Sequence, residues 1–125
     1  MTHEEICTYE VCKLAKEKGF NAKCYHYYQN GALESDECFN RYNKGVDSVC
    51  SAPTHSLLQR WLREEKGIHI SVEYEWVENF DGWTFWAYIK QVKDERVIDD
   101  AIKSGFNTYE HALEDAELYC LKNLL

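Results

Sequence analysis

The chain has 125 residues, 45% of them hydrophobic and 14% aromatic, and 22 acidic against 14 basic side chains give a formal charge of −8. That length suits one domain (1–125) around one core, and an apolar content this high with one proline and six glycines excludes a disordered or low-complexity chain. The averaged negative field opposes phosphate backbones and anionic lipid. No stretch approaches the roughly 18 to 20 apolar residues of a membrane span, and the start "MTHEEICTYE" lacks a basic, then apolar, leader. A cytoplasmic protein that binds neither nucleic acid nor membrane is expected.

In chain order, Thr2 with Glu5 three residues later reads as a capping box for a first helix, carrying Ile6, Tyr9, Cys12 (or Lys13) and Leu14 and stopping at Gly19. "AKCYHYYQNGALES" follows as a short hairpin, because Asn30-Gly31 tolerates the positive φ values of a type I′ turn. Residues 35–50 show no sustained periodicity and read as loop, with room for one helical turn.

"SAPTHSLLQRWLREEKG" reads as a second helix with Pro53 in its first turn, Leu57, Leu58, Trp61 and Leu62 on one face, and Gly67 as the stop. Directly after it, Ile68, Ile70, Val72, Tyr74 and Trp76 alternate with His69, Ser71, Glu73 and Glu75, the pattern of a half-buried strand. "ENFDG" turns the chain into a partner strand, "DGWTFWAYIKQV". "DERVIDDAI" is then a third strand or an irregular connection, and Asn107-Thr108 caps a last helix bearing Tyr109, Ala112, Leu113, Ala116, Cys120 and Leu124. The order α-ββ-α-ββ(β)-α predicts an α+β domain, a small antiparallel sheet with helices packed on one face. Its second half resembles the order of a double-stranded-RNA-binding module, but the last helix opens "NTYEHALEDAE" where such a module needs basic residues.

The strand read at 81–92 has two candidate faces. Trp83, Phe85, Ala87 and Ile89 make the better core face, which leaves Thr84, Trp86, Tyr88 and Lys90 outside, near Glu73 or Glu75. A slip of one residue would exchange the two sets. The outer aromatics are covered by the chain's own 20–50 segment, buried in an oligomer interface, or open as a stacking platform for a flat ligand. For that last reading Lys90, Arg41, Arg60 and Arg63 are candidate cations, although solvated pairing with Glu64 or another carboxylate is the plainer role of the two helix arginines. Thr54 and Ser56 at the second helix start offer an anion site, against ordinary capping by Ser51 or Thr54.

Six cysteines without a leader read as reduced apolar side chains. The five histidines lie apart, and no zinc or catalytic spacing occurs; Cys24-x-His26 and Cys7-x4-Cys12 each offer two of the four ligands of a closed zinc site. No metal, cofactor or catalytic residue is expected. An enzyme using Cys24, His26 or His55 is the minor alternative. "DERVIDD" lacks the spacing of a calcium loop and reads as a solvated acidic edge.

"APTHSLLQRWLREEKGIHISVEY", "FNTYEHALEDAELYCLKNLL" and "EICTYEVCKLAKEKGF" resemble a family of small proteins encoded by gut bacteriophages and prophages, over the chain except residues 30–50. The resemblance supplies no active site. It implies a small accessory protein that acts by binding, including capture of the nucleotide signals of bacterial anti-phage immunity. The expectation is therefore a non-catalytic anti-defence protein that sequesters a nucleotide-like ligand, with Trp86 or Tyr88 stacking on the base and Arg60, Arg63 or Lys90 meeting the phosphates, as a monomer or a homodimer. The alternative is an interaction module that inhibits a host protein through an aromatic or acidic surface.

Overall fold

Three helices and two small antiparallel sheets form the α+β architecture of the computed structural model, which describes residues 5–22, 24–35, 49–78, 82–93, 96–106 and 108–125. In chain order these are α1 (Tyr9–Glu17), β1 (His26–Gln29), β2 (Ala32–Ser35), β3 (Val49–Ser51), α2 (His55–Lys66), β4 (Ile68–Val77), β5 (Gly82–Lys93), β6 (Arg96–Phe106) and α3 (Tyr109–Asn123). The sheets run β2-β1-β3 and β4-β5-β6. Each expected hairpin thus gains a third strand. Residues 96–102 of "DERVIDDAI" fall in β6, while β3 corrects the loop reading at 49–50: three residues are too few for a period to show, and pairing to Tyr27, Tyr28 and Gln29 makes them a strand. The Thr2 cap, Arg41, Cys38 and the acidic Asp94 and Glu95 lie outside the described residues.

The first helix starts later than its capping box implies. Residues 5–7 are drawn into strand-like pairing with the approach to α2: Cys7 N–H donates to Pro53 O at 3.0 Å, His55 N–H donates to Glu5 O at 3.2 Å, and Ile6 bridges Thr54. Backbone committed to that pairing cannot also wind into a helix, so α1 begins at Tyr9 behind Thr8, whose side chain makes no capping bond. α2 starts behind Thr54, whose hydroxyl accepts from Leu57 N–H, and Pro53 falls just before the cap rather than in the first turn. Gly67 ends α2 at φ 66°, and a Cβ there would lie 2.6 Å from Val92 O, so both conformation and space require glycine. Thr108 caps α3 by accepting from His111 N–H.

α2 packs on β4, and α3 lies across all three strands of the second sheet. The core between them takes Leu58 and Leu62 from α2, Ile68, Ala87 and Ile89 from the sheet, and Ala112, Ala116, Cys120 and Leu121 from α3. α1 closes it with Val11, Cys12 and Ala15, and carries the first sheet on its other contacts: Tyr28 Oη donates to Cys7 O at 2.8 Å and Tyr28 meets Tyr9 edge-on at 5.5 Å between ring centres. The Asn30-Gly31 turn has the expected positive φ values of 52° and 84°. The five described cysteines are buried thiols without disulfides, and no helix among the described residues is long and apolar enough to cross a membrane.

Candidate functional site

β4 and β5 pair without interruption from Ile68↔Gln91 to Val77↔Gly82, which places Tyr74 opposite Phe85 and Trp76 opposite Trp83, all on the face that carries the helices. At the near end this face is core, with Ile68, Ala87 and Ile89 buried. At the far end Phe85 meets Tyr109, the first residue of α3, and the aromatics opposite and beyond it along the strands are the exposed ones. Tyr74 is 56% exposed, Trp76 51% and Trp83 58%, and they cover one another. Tyr74 stacks on Trp83 at 5.3 Å and tilts against Phe85 at 4.6 Å, Trp76 meets Trp83 edge-on at 6.1 Å, and Phe85 meets Tyr109 edge-on at 6.4 Å. Single exposed aromatics are ordinary on a protein surface, whereas a contiguous cluster marks an interaction site.

Tyr109 also lines a pocket of about 280 Å³ between the start of α2 and the start of α3, together with Glu5, His55, Ser56, Gln59 and Glu110. The aromatic wall and this polar pocket are therefore continuous through one tyrosine. Glu5 and Glu110 are exposed on the pocket, and no lysine or arginine among the described residues lines it, so its field favours donors and cations over phosphates.

His55 joins the pocket to a buried polar cluster. It is the first residue of α2, held there by its N–H bond to Glu5 O, and its ring Nδ1 lies 2.5 Å from Glu117 Oε1 on α3 and 3.5 Å from Cys7 Sγ. The Cys7 thiol donates to Glu117 Oε2 at 3.9 Å. Cys7 and Glu117 are fully buried and His55 is 8% exposed. Burial pushes the Glu117 carboxyl up to about 7 against the pull of His55. Burial also works against a charged His55, but the hydrogen bond and charge of Glu117, with Glu5 and Glu114 beyond, outweigh it and raise the imidazole pKa. The hydrogen bond with Cys12 and burial hold Cys7 as a thiol, so it is not an activated nucleophile. The donor atoms of Cys7, His55 and Glu117 all lie within 4.8 Å of one another, a set able to hold a metal ion.

The residues singled out from sequence do not converge. Trp86, Tyr88 and Lys90 stand on the sheet face away from the helices, while Thr54, Ser56, Arg60 and Arg63 belong to α2 and its cap on the helix side, so the sheet separates the two groups. Tyr88 Oη donates to Glu75 Oε1 at 2.6 Å, and that bond raises its pKa to about 12. Trp86 is half-buried with its Nε1–H shut from solvent and unpartnered. Arg60 is tied to Glu64 at 3.1 Å, the plainer reading, and Thr54 spends its hydroxyl on the cap. Thr84, assigned outside, is buried, and Trp83, assigned to the core, is 58% exposed, because pleating fixes the face of a side chain and not what packs over each position along that face.

Glu117 was not singled out from sequence, and Cys7 only as a possible ligand paired with Cys12 rather than with His55. Glu117 falls four residues after Leu113 and four before Leu121, a carboxylate inside an apolar helical stripe, and that mismatch was the signal available in the sequence. Cys7 carried no such mark, since only the pairing of residues 5–7 with 53–55 brings it to His55. No protein-family model matches this chain, and neither the curated proteins nor the solved structures contain a significant match to it.

Proposed function

We propose that the protein is a binding protein for a small flat ligand of nucleobase type, which stacks on the wall formed by Tyr74, Trp76, Trp83 and Phe85 and turns its polar edge into the pocket beside Tyr109. The observation that carries this reading is the continuity of an exposed, self-stacked aromatic cluster with a pocket containing Ser56, Gln59 and His55. Base stacking on aromatics contributes ~1 to 3 kcal/mol per base and needs no sequence-specific contact. At about 280 Å³ the pocket accommodates one ring system, not a whole dinucleotide. The acidic Glu5 and Glu110 suit the exocyclic amine of an adenine-like base, and they direct any phosphates outward to solvent. In the phage setting implied by the sequence resemblance, such binding withholds a host nucleotide signal from its receptor. This reading keeps the expected class of ligand and moves its platform from Trp86 and Tyr88 to the helix-side wall.

Titration of the protein with adenosine, adenosine monophosphate and cyclic adenine dinucleotides, followed by tryptophan fluorescence and melting temperature, tests it. Binding that is lost in Trp83→Ala and kept in Trp86→Ala is expected. No response to any of the panel, or loss only in Trp86→Ala, overturns it.

A further inference from the structure

The cluster beneath the pocket supports an inference independent of the ligand reading. Cys7 comes from the extended segment before α1, His55 from the first turn of α2 and Glu117 from the middle of α3, so three separate elements deliver a sulfur, a nitrogen and a carboxylate to one buried point. We propose that Cys7 Sγ, His55 Nδ1 and a Glu117 carboxylate oxygen form a binding site for a single zinc-like divalent transition-metal ion, open at its fourth position.

The distances suit a tetrahedral ion. Bonds of ~2.3 Å to sulfur and ~2.0 to 2.1 Å to nitrogen or oxygen set edges of about 3.5 Å from sulfur to either partner and about 3.3 Å from nitrogen to oxygen. The Cys7–His55 edge is 3.5 Å. Cys7 Sγ lies 3.9 Å from Glu117 Oε2, while His55 Nδ1 meets the other oxygen, Oε1. A set of one donor atom from each residue falls within 4.8 Å, so a small turn of the carboxylate presents one oxygen to both partners. The His55–Glu117 edge, 2.5 Å, is a hydrogen bond in the metal-free arrangement and opens by less than an ångström when an ion replaces the shared proton.

Charge makes the same case. A thiolate, a carboxylate and a neutral imidazole carry two negative charges, which a divalent ion cancels, leaving a neutral assembly where separate ions would be strongly penalised by burial. A mixed sulfur, nitrogen and oxygen set selects borderline-soft zinc over magnesium or calcium, which prefer oxygen alone. A second carboxylate oxygen, Glu114 Oε1, is buried without a hydrogen-bond partner one turn before Glu117 on α3. Of the three residues His55 is the one that also lines the pocket, which places the cluster directly beneath it. The cluster escaped the sequence reading because its spacings, 48 and 62 residues, match no local ligand motif.

The test is titration of the tag-free, chelator-treated full chain with Co²⁺ as a spectroscopic substitute for Zn²⁺. The expected result is one equivalent bound, with a cobalt–thiolate charge-transfer band, the intense visible bands of a four-coordinate ion, and displacement by Zn²⁺. Cys7→Ser removes the thiolate band, and His55→Gln weakens binding at least ~10-fold. Absence of the band in the unsubstituted chain, or its persistence in Cys7→Ser, overturns the proposal. Should either variant fail to fold, X-ray absorption of the Zn²⁺-loaded unsubstituted chain decides: one sulfur with nitrogen or oxygen neighbours supports the site, and two or more sulfurs, or none, refute it. Because neither readout involves a nucleotide, the site stands or falls separately from the ligand proposal.

Discussion

The aromatic wall at the far end of the second sheet and the Cys7–His55–Glu117 cluster in the core depart from ordinary sorting in opposite directions. One leaves Tyr74, Trp76 and Trp83 more than half exposed, while the other shuts a carboxylate and a thiol away from water entirely. Their energetics differ accordingly. The wall residues retain much of their contact with water, so covering them with a partner still releases free energy. The cluster has already lost its water, so each of its groups depends on the other two, and removing one leaves a buried polar group without its partner.

The sharpest way to break this contrast is to substitute across it. Glu117→Ala, which leaves His55 and Cys7 facing a cavity, is expected to cost about 3 to 5 kcal/mol of folding free energy in chemical denaturation. A cost below about 1 kcal/mol would mean that the cluster is not coupled.

A smaller effect on the same region follows from pH. The Glu117 pKa rises from 4.5 to about 7 on folding, so the folded state holds that proton more tightly than the unfolded chain between those values. His55 is raised above 6.5, so its contribution is present below 6.5 and lost as pH climbs through its folded value. Both signs agree: the stability of metal-free protein declines from about pH 4.5 through neutrality. Comparing denaturation curves of the unsubstituted chain and Glu117→Gln isolates the effect, which should shrink in the variant.

At the wall the balance reverses. Trp83→Ala should change folding stability by less than about 1 kcal/mol, since more than half of the side chain is already in water. Its effect belongs to binding, a loss of ~1 to 3 kcal/mol, which is about 5- to 150-fold in Kd. A large melting shift without ligand would make the wall a structural element instead. The smallest change is expected at Arg60, where both members of the pair with Glu64 are well exposed, so Arg60→Ala should cost no more than about 0.5 kcal/mol.

Local signals located most of the secondary structure. The alternation at 68–76, the Asn30-Gly31 turn, the Gly67 stop and the Thr108 cap each act through bonds within a few residues, and all four appear where the sequence places them. The start of α1 is different. Thr2 and Glu5 fit a local capping pattern, but Glu5, Ile6 and Cys7 pair with residues 53–55, far along the chain, and that pairing displaces the helix start to Tyr9.

The sites follow the same division. The sequence by itself determined that β5 would carry aromatics on both faces and that Glu117 would interrupt an apolar stripe, because periods of 2 and 3.6 residues assign side chains to faces. It could not determine how far coverage extends along one face of β5, where Ala87 is buried and Trp83 more than half exposed. Nor could it bring Cys7 to His55 and Glu117, since that proximity is set by packing three elements whose clustered side chains stand 48 and 62 positions apart. Faces are a local consequence of backbone geometry; coverage and convergence belong to the tertiary fold.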